Sequence, residues 1–171
     1  MKKLGALLCG LLLLTLFGCG AVERNQYIAS VNEKLASFTD CANAFSDSLE
    51  EIGKTEAAPT EAQIDEAEKR VDALSEVCKE IETIQAPGSY AKEQNALRDA
   101  MAQYGIALEK GRALLEFYRQ YDAVFRAYPN PDEGSVAMKQ KTLEIYGEFA
   151  EAMRQATDSF REAEKLLQAA Q

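Results

Sequence analysis

The chain has 171 residues, 47% of them hydrophobic, and a formal net charge of −9 at pH 7. That length suits one domain with its own core, and the acidic charge argues against nucleic acid as a partner, because phosphates would repel the chain. Histidine and tryptophan are both absent, so the most common general base and metal ligand is missing.

The N-terminus is organised like an export signal. Lys2 and Lys3 precede an apolar run from Leu4 to Phe17, which is shorter than the roughly 20 residues that a membrane span needs. The run ends in LFGC at 16–19, which resembles the lipobox of bacterial lipoproteins, with leucine at −3, a small residue at −1 and cysteine at the cut. The resemblance implies that residues 1–18 are a signal peptide and that Cys19 is the lipid attachment site. A free cysteine in a secreted protein, or an uncut anchor, is the alternative.

Two further cysteines lie in the body of the chain. Cys41 and Cys78 form an even pair in an exported protein, which predicts a disulfide between them. A bridge needs both residues at one level, so the first helix is expected to continue past Ile52 and Gly53 to about Ala57. The alternative is a pair of buried free thiols.

Residues 19–171 are predicted to form one all-α domain. Beyond Gly20, β-branched runs are rare and good helix formers dominate. Turn-forming sequences at 53–60, 86–89 and 128–134 divide the domain into four helical segments. Because the connections are short, we expect an elongated antiparallel up-down-up-down four-helix bundle with coiled-coil packing.

Each segment carries apolar residues at helical spacing, which predicts its buried seam. A capping box of Thr60 and Gln63 is predicted to start the second helix, and Asn130 followed by Pro131 to start the fourth. The predicted seams are Ile28, Val31, Leu35, Phe38, Ala42, Phe45, Leu49 and Ile52; Ile64, Ala67, Val71, Leu74, Cys78 and Ile81; Leu97, Met101, Tyr104, Leu108, Gly111, Leu115, Tyr118 and Phe125; and Leu143, Tyr146, Phe149, Met153, Phe160 and Leu167.

Arginines recur at matching heptad positions of the third segment: Arg98, Arg112, Arg119 and Arg126. We interpret them as residues that flank the seam and pair with acidic side chains of a neighbouring helix. The alternative is a ridge that binds phosphate or an acidic polymer.

An aromatic stripe of Tyr118, Tyr121, Phe125 and Tyr128 ends the third segment. A third helix over 89–128 would be about 20 Å longer than a second helix over 60–85, and would pass its end from roughly Leu115. Part of the stripe should then be exposed, which predicts a partner-binding surface. Core packing is the alternative.

The sequence predicts no catalytic residue, no metal ligand and no cofactor. Carboxylates such as Glu144, Glu148 and Glu151 are interpreted as a solvated face, and Asp122 alone falls clearly on an apolar seam. We therefore expect a non-enzymatic interaction or structural module of the bacterial envelope, extracytoplasmic and held on a membrane by the lipid on Cys19.

The expected partner is an envelope protein or a cell-wall polymer, and nucleic acid is not expected. Two alternatives are a small-molecule carrier or sensor bundle, for which Gly105 and Gly111 would leave room, and an enzyme accessory subunit. The whole chain resembles the small helical lipoproteins of bacterial envelopes, including the cell-wall-binding lipoproteins of Gram-positive bacteria.

Overall fold

The computed structural model describes residues 22–54 and 58–169. In these ranges the protein is an all-α helical bundle with four long helices, as predicted: α1 (Val22–Lys54), α2 (Glu61–Thr83), α3 (Ala91–Arg126) and α4 (Pro131–Ala169). A short 3-10 turn, Gly88–Tyr90, precedes α3. None of the described helices is long and apolar enough to span a membrane. The predicted signal peptide and Cys19 lie outside the described residues.

The predicted caps at the starts of α2 and α4 are confirmed. The Thr60 hydroxyl accepts a hydrogen bond from the Gln63 backbone N–H at 3.3 Å, and the Thr60 N–H donates to Gln63 Oε1 at 2.9 Å. At α4, Asn130 Oδ1 accepts from the Asp132 N–H at 3.0 Å. These bonds satisfy N–H groups that have no partner within the helix, and they fix where each helix begins.

The C-terminal end of α2 is held by Arg98 of α3. Its Nε donates to the Glu82 carbonyl at 2.8 Å, and its Nη2 donates to the Ile84 carbonyl at 3.3 Å. The last carbonyls of a helix lack intrahelical partners and carry partial negative charge, so a guanidinium is well suited to this position. Arg98 therefore caps a helix, whereas the sequence predicted a pair with an acidic side chain.

Consecutive helices pack on one another, α1 on α2, α2 on α3 and α3 on α4. Within the described residues no Cα atom of α1 lies within 8 Å of a Cα atom of α4. Aromatic rings connect these two helices instead. The ring centroids of Phe38 and Phe160 are 5.6 Å apart, and those of Phe45 and Phe149 are 6.1 Å apart. Large side chains thus span the α1–α4 side of the bundle.

The predicted seams of α1, α2 and α3 are buried or half-buried throughout. The prediction for α4 is wrong at two positions, because Leu143 is 72% exposed and Tyr146 is 37% exposed. The remaining predicted residues of α4 are buried or half-buried. The buried face of α4 also includes three residues that the sequence analysis left out, which are Met138, Ala156 and Ala163.

Candidate functional site

The predicted aromatic stripe begins at the margin of the core. Tyr118 is half-buried and packs against the core cluster. Burial raises the pKa of its hydroxyl, with smaller contributions from Tyr146 and Tyr121. Tyr118 therefore contributes to packing more than to any exposed surface.

The other three residues of the stripe form a partly exposed surface at the α3–α4 connection. Tyr121 and Phe125 are half-buried, and Tyr128 is 39% exposed. The ring of Phe117 lies 6.2 Å from that of Tyr121. A Cβ atom at Gly134 of α4 would lie 3.2 Å from Tyr128 Cβ and 3.3 Å from Phe125 Cε2, so the connection is closely packed. We call Phe117, Tyr121, Phe125 and Tyr128 the aromatic surface.

Arg119 marks how far α2 extends along α3. Its guanidinium contacts Glu61 Oε1 in the first turn of α2 at 2.8 Å, and it also contacts Asp65 and Glu68 at 2.8 Å. From Arg119, α3 continues to Arg126, a length of about 10 Å at 1.5 Å per residue.

The helices α2 and α3 have 23 and 36 residues, so their lengths differ by about 20 Å, as predicted. The overshoot past the start of α2 is shorter than predicted because α3 also extends beyond the other end of α2, where Arg98, seven residues after the first residue of α3, contacts the last carbonyls of α2.

The arginines of α3 are paired with carboxylates. Arg112 contacts Asp72 of α2 at 2.6 Å, and the hydrogen bonds that Arg119 donates to Glu68 and Glu61 raise its pKa. The predicted pairing across the helix interface is therefore confirmed for these two residues. Arg126 contacts Asp122 at 3.9 Å, and the Asp122 side chain is 75% exposed, so its predicted seam position is wrong. A ridge that binds anions through Arg112 and Arg119 would have to break these pairs.

Cys41 and Cys78 are free thiols in the structure. Cys78 is buried, and burial raises its pKa to about 12, with Glu82 and Cys41 adding to the shift. The predicted disulfide is not formed and that prediction is wrong. Cys78 belongs to the core, whereas Cys41 lies half-buried at its margin.

A buried polar network joins α1, α2 and α3 near the start of α3. The Tyr27 hydroxyl donates to Gln94 Oε1 at 3.0 Å, and Gln94 Nε2 donates to the Ile81 carbonyl at 3.2 Å. Burial raises the pKa of Tyr27 to about 12, and the neighbouring Glu93 adds to the shift. Sequence reasoning missed this network because Gln94 is polar; the available signal was its position on the seam itself, one heptad before Met101.

The same end of the bundle contains a surface depression of 430 Å³ between the start of α1 and residues 84–87. Tyr27 contributes to its wall. Nearby, the Arg24 guanidinium lies 5.7 Å from the centroid of the Tyr90 ring, a distance that allows a cation–π contact. These contacts fasten the start of α1 to the start of α3.

A second group of exposed apolar residues lies on the N-terminal half of α4. Val136 is 67% exposed, Leu143 is 72% exposed and Tyr146 is 37% exposed. The sequence analysis predicted that Leu143 and Tyr146 would be buried, and it did not consider Val136. The signal that was available is the seven-residue spacing of Val136 and Leu143.

In the part of the chain that the structure describes, no group of three or more histidines, cysteines, aspartates or glutamates is arranged to hold a metal ion. Comparisons of the chain with protein-family models, with curated proteins and with solved structures found no match. The aromatic surface and the exposed face of α4 thus remain as the two candidate sites.

Proposed function

We propose that this protein is a lipid-anchored interaction module of the bacterial envelope. It lies outside the cytoplasm, is held on a membrane through Cys19, and catalyses no reaction. Its partner is an envelope protein or a cell-wall polymer that binds the aromatic surface. The observation that carries this proposal is the partial exposure of the aromatic surface where α3 extends beyond the start of α2.

We infer that consecutive helices are antiparallel, in up-down-up-down order. The contacts between α2 and α3 support this order. Arg119 near the end of α3 contacts Glu61 at the start of α2, whereas Arg98 near the start of α3 contacts Glu82 near the end of α2. The chain therefore advances in opposite directions in these two helices.

The rings between α1 and α4 support the same order. Moving along α1 from Phe38 to Phe45 corresponds to moving backward along α4 from Phe160 to Phe149. With α1 starting only three residues after Cys19, the start of α1 and the α2–α3 turn would face the membrane. The α3–α4 connection would lie at the opposite end, where partners in the envelope have access.

Composition supports binding at this end. Tyrosine offers an apolar ring and a hydroxyl, a combination enriched where proteins bind partners. Removal of residues 1–18 would leave 17 basic and 28 acidic residues, a net charge of −11. Anionic headgroups repel such a body, so the far end of the bundle would stand away from the membrane surface.

A small-molecule carrier has less support. The space beside Gly111 is occupied by the rings of Phe45 and Phe149, because a Cβ atom there would lie 3.3 Å from each ring. A Cβ atom added at Gly105 would meet no atom within 4 Å, and the residue is half-buried. Gly111 is therefore better explained by packing than by a ligand.

The proposal is tested by photocrosslinking in living cells. A photoreactive amino acid at Tyr128 should capture one partner, and the same amino acid at the exposed Ile106 should not. The double change Tyr121→Ala and Tyr128→Ala should abolish capture from a neighbouring position, Ala127, and lower the melting temperature only slightly, because neither ring is fully buried. Equal capture from both positions, or unfolding of the double variant, would contradict the proposal.

A further inference from the structure

We draw no further inference here: the strongest candidate, the exposed apolar stripe of Val136, Leu143 and Tyr146 on the N-terminal half of α4, is a helix face for which nothing in the structure shows what covers it.

Discussion

The two described cysteines differ in their access to solvent. Cys78 is 3% exposed and has a pKa raised to about 12, chiefly by burial. Cys41 is half-buried at the margin of the core. Because the thiolate is the reactive form of cysteine, these surroundings should separate the two thiols chemically.

We predict that iodoacetamide at pH 8 alkylates Cys41 and leaves Cys78 largely unmodified in the folded protein. A thiol with a pKa of about 12 is deprotonated in only about one molecule in 10⁴ at that pH, and burial blocks the reagent as well. Peptide mapping by mass spectrometry would measure the two rates, which should differ at least about 100-fold.

The control is the same reaction in denaturant, where both cysteines should be modified at similar rates. Equal rates in the folded protein would contradict the assigned burial of Cys78. A mass deficit of about 2 Da that locates to a Cys41–Cys78 peptide pair would contradict the free thiols.

The cysteine pair shows what an even number of cysteines can and cannot predict. Even numbers and an export signal indicate that a disulfide is chemically allowed. They contain no information on how deeply each cysteine is buried, which packing decides. Packing places Cys78 in the core and Cys41 at its edge.

At the scale of the helix, two glycines of α3 offer a matched comparison. A Cβ atom added at Gly105 would have no atom within 4 Å. A Cβ atom added at Gly111 would lie 3.3 Å from the rings of Phe149 and Phe45. Glycine weakens a helix interior relative to alanine by about 0.5–1 kcal/mol. The two sites share this cost and differ in the space around them.

We predict that Gly105→Ala stabilises the protein by about 0.5–1 kcal/mol, through the higher helix propensity of alanine. Gly111→Ala should be less stable than Gly105→Ala by about 1 kcal/mol, because both buried rings must move by a few tenths of an ångström. Urea unfolding followed by circular dichroism would measure both changes. Gly147→Ala on α4, which also has open space, serves as a second control.

Equal stabilisation by Gly105→Ala and Gly111→Ala would mean that the rings of Phe45 and Phe149 do not pack closely on α3. A destabilising Gly105→Ala would instead contradict the open surroundings of that residue. The first result would change the assigned packing of α1 and α4 on α3 at Gly111, and the second would change the assigned open space at Gly105.

The seams of α1 to α3 could be predicted from the sequence because their large apolar residues follow the helix period. The α4 prediction fails toward the N-terminus because it followed the large apolar residues alone. At 100° per residue, Leu143 lies about 120° around the helix from the buried Phe149. Leu143 is thereby turned out of the core, and smaller residues such as Ala156 and Ala163 complete the buried face.

For the whole molecule, the attachment to a membrane is the prediction with the widest consequences. The described helices do not supply a membrane span, and the apolar run from Leu4 to Phe17 is shorter than a span requires. Two or more acyl chains on one cysteine hold a protein stably on a bilayer. The proposed location therefore depends on Cys19.

We predict that Cys19→Ser abolishes lipid attachment. Cells that express the unaltered chain should release it from the membrane only in detergent, and its mass should include a diacylglyceryl group. The variant should lack this mass and should not be cut before residue 19. Cys9→Ser is the control and should behave like the unaltered chain. A Cys19→Ser variant that is still processed and acylated would contradict the assignment.

The surfaces were harder to predict than the helices. The partial exposure of Tyr128 could be anticipated from the unequal lengths of the second and third segments. The exposed stripe on α4 could not, because a single sequence does not show whether a helix with apolar residues on two faces buries both.

The packing of each helix on the next one in sequence also bears on how the chain reaches its folded state. Contacts between sequence neighbours keep the contact order low, and chains of low contact order fold quickly. A chain that crosses a membrane unfolded and emerges from its N-terminus could pair α1 with α2 before α3 and α4 arrive. The final step would be the closure of the aromatic rings between the first helix and the last.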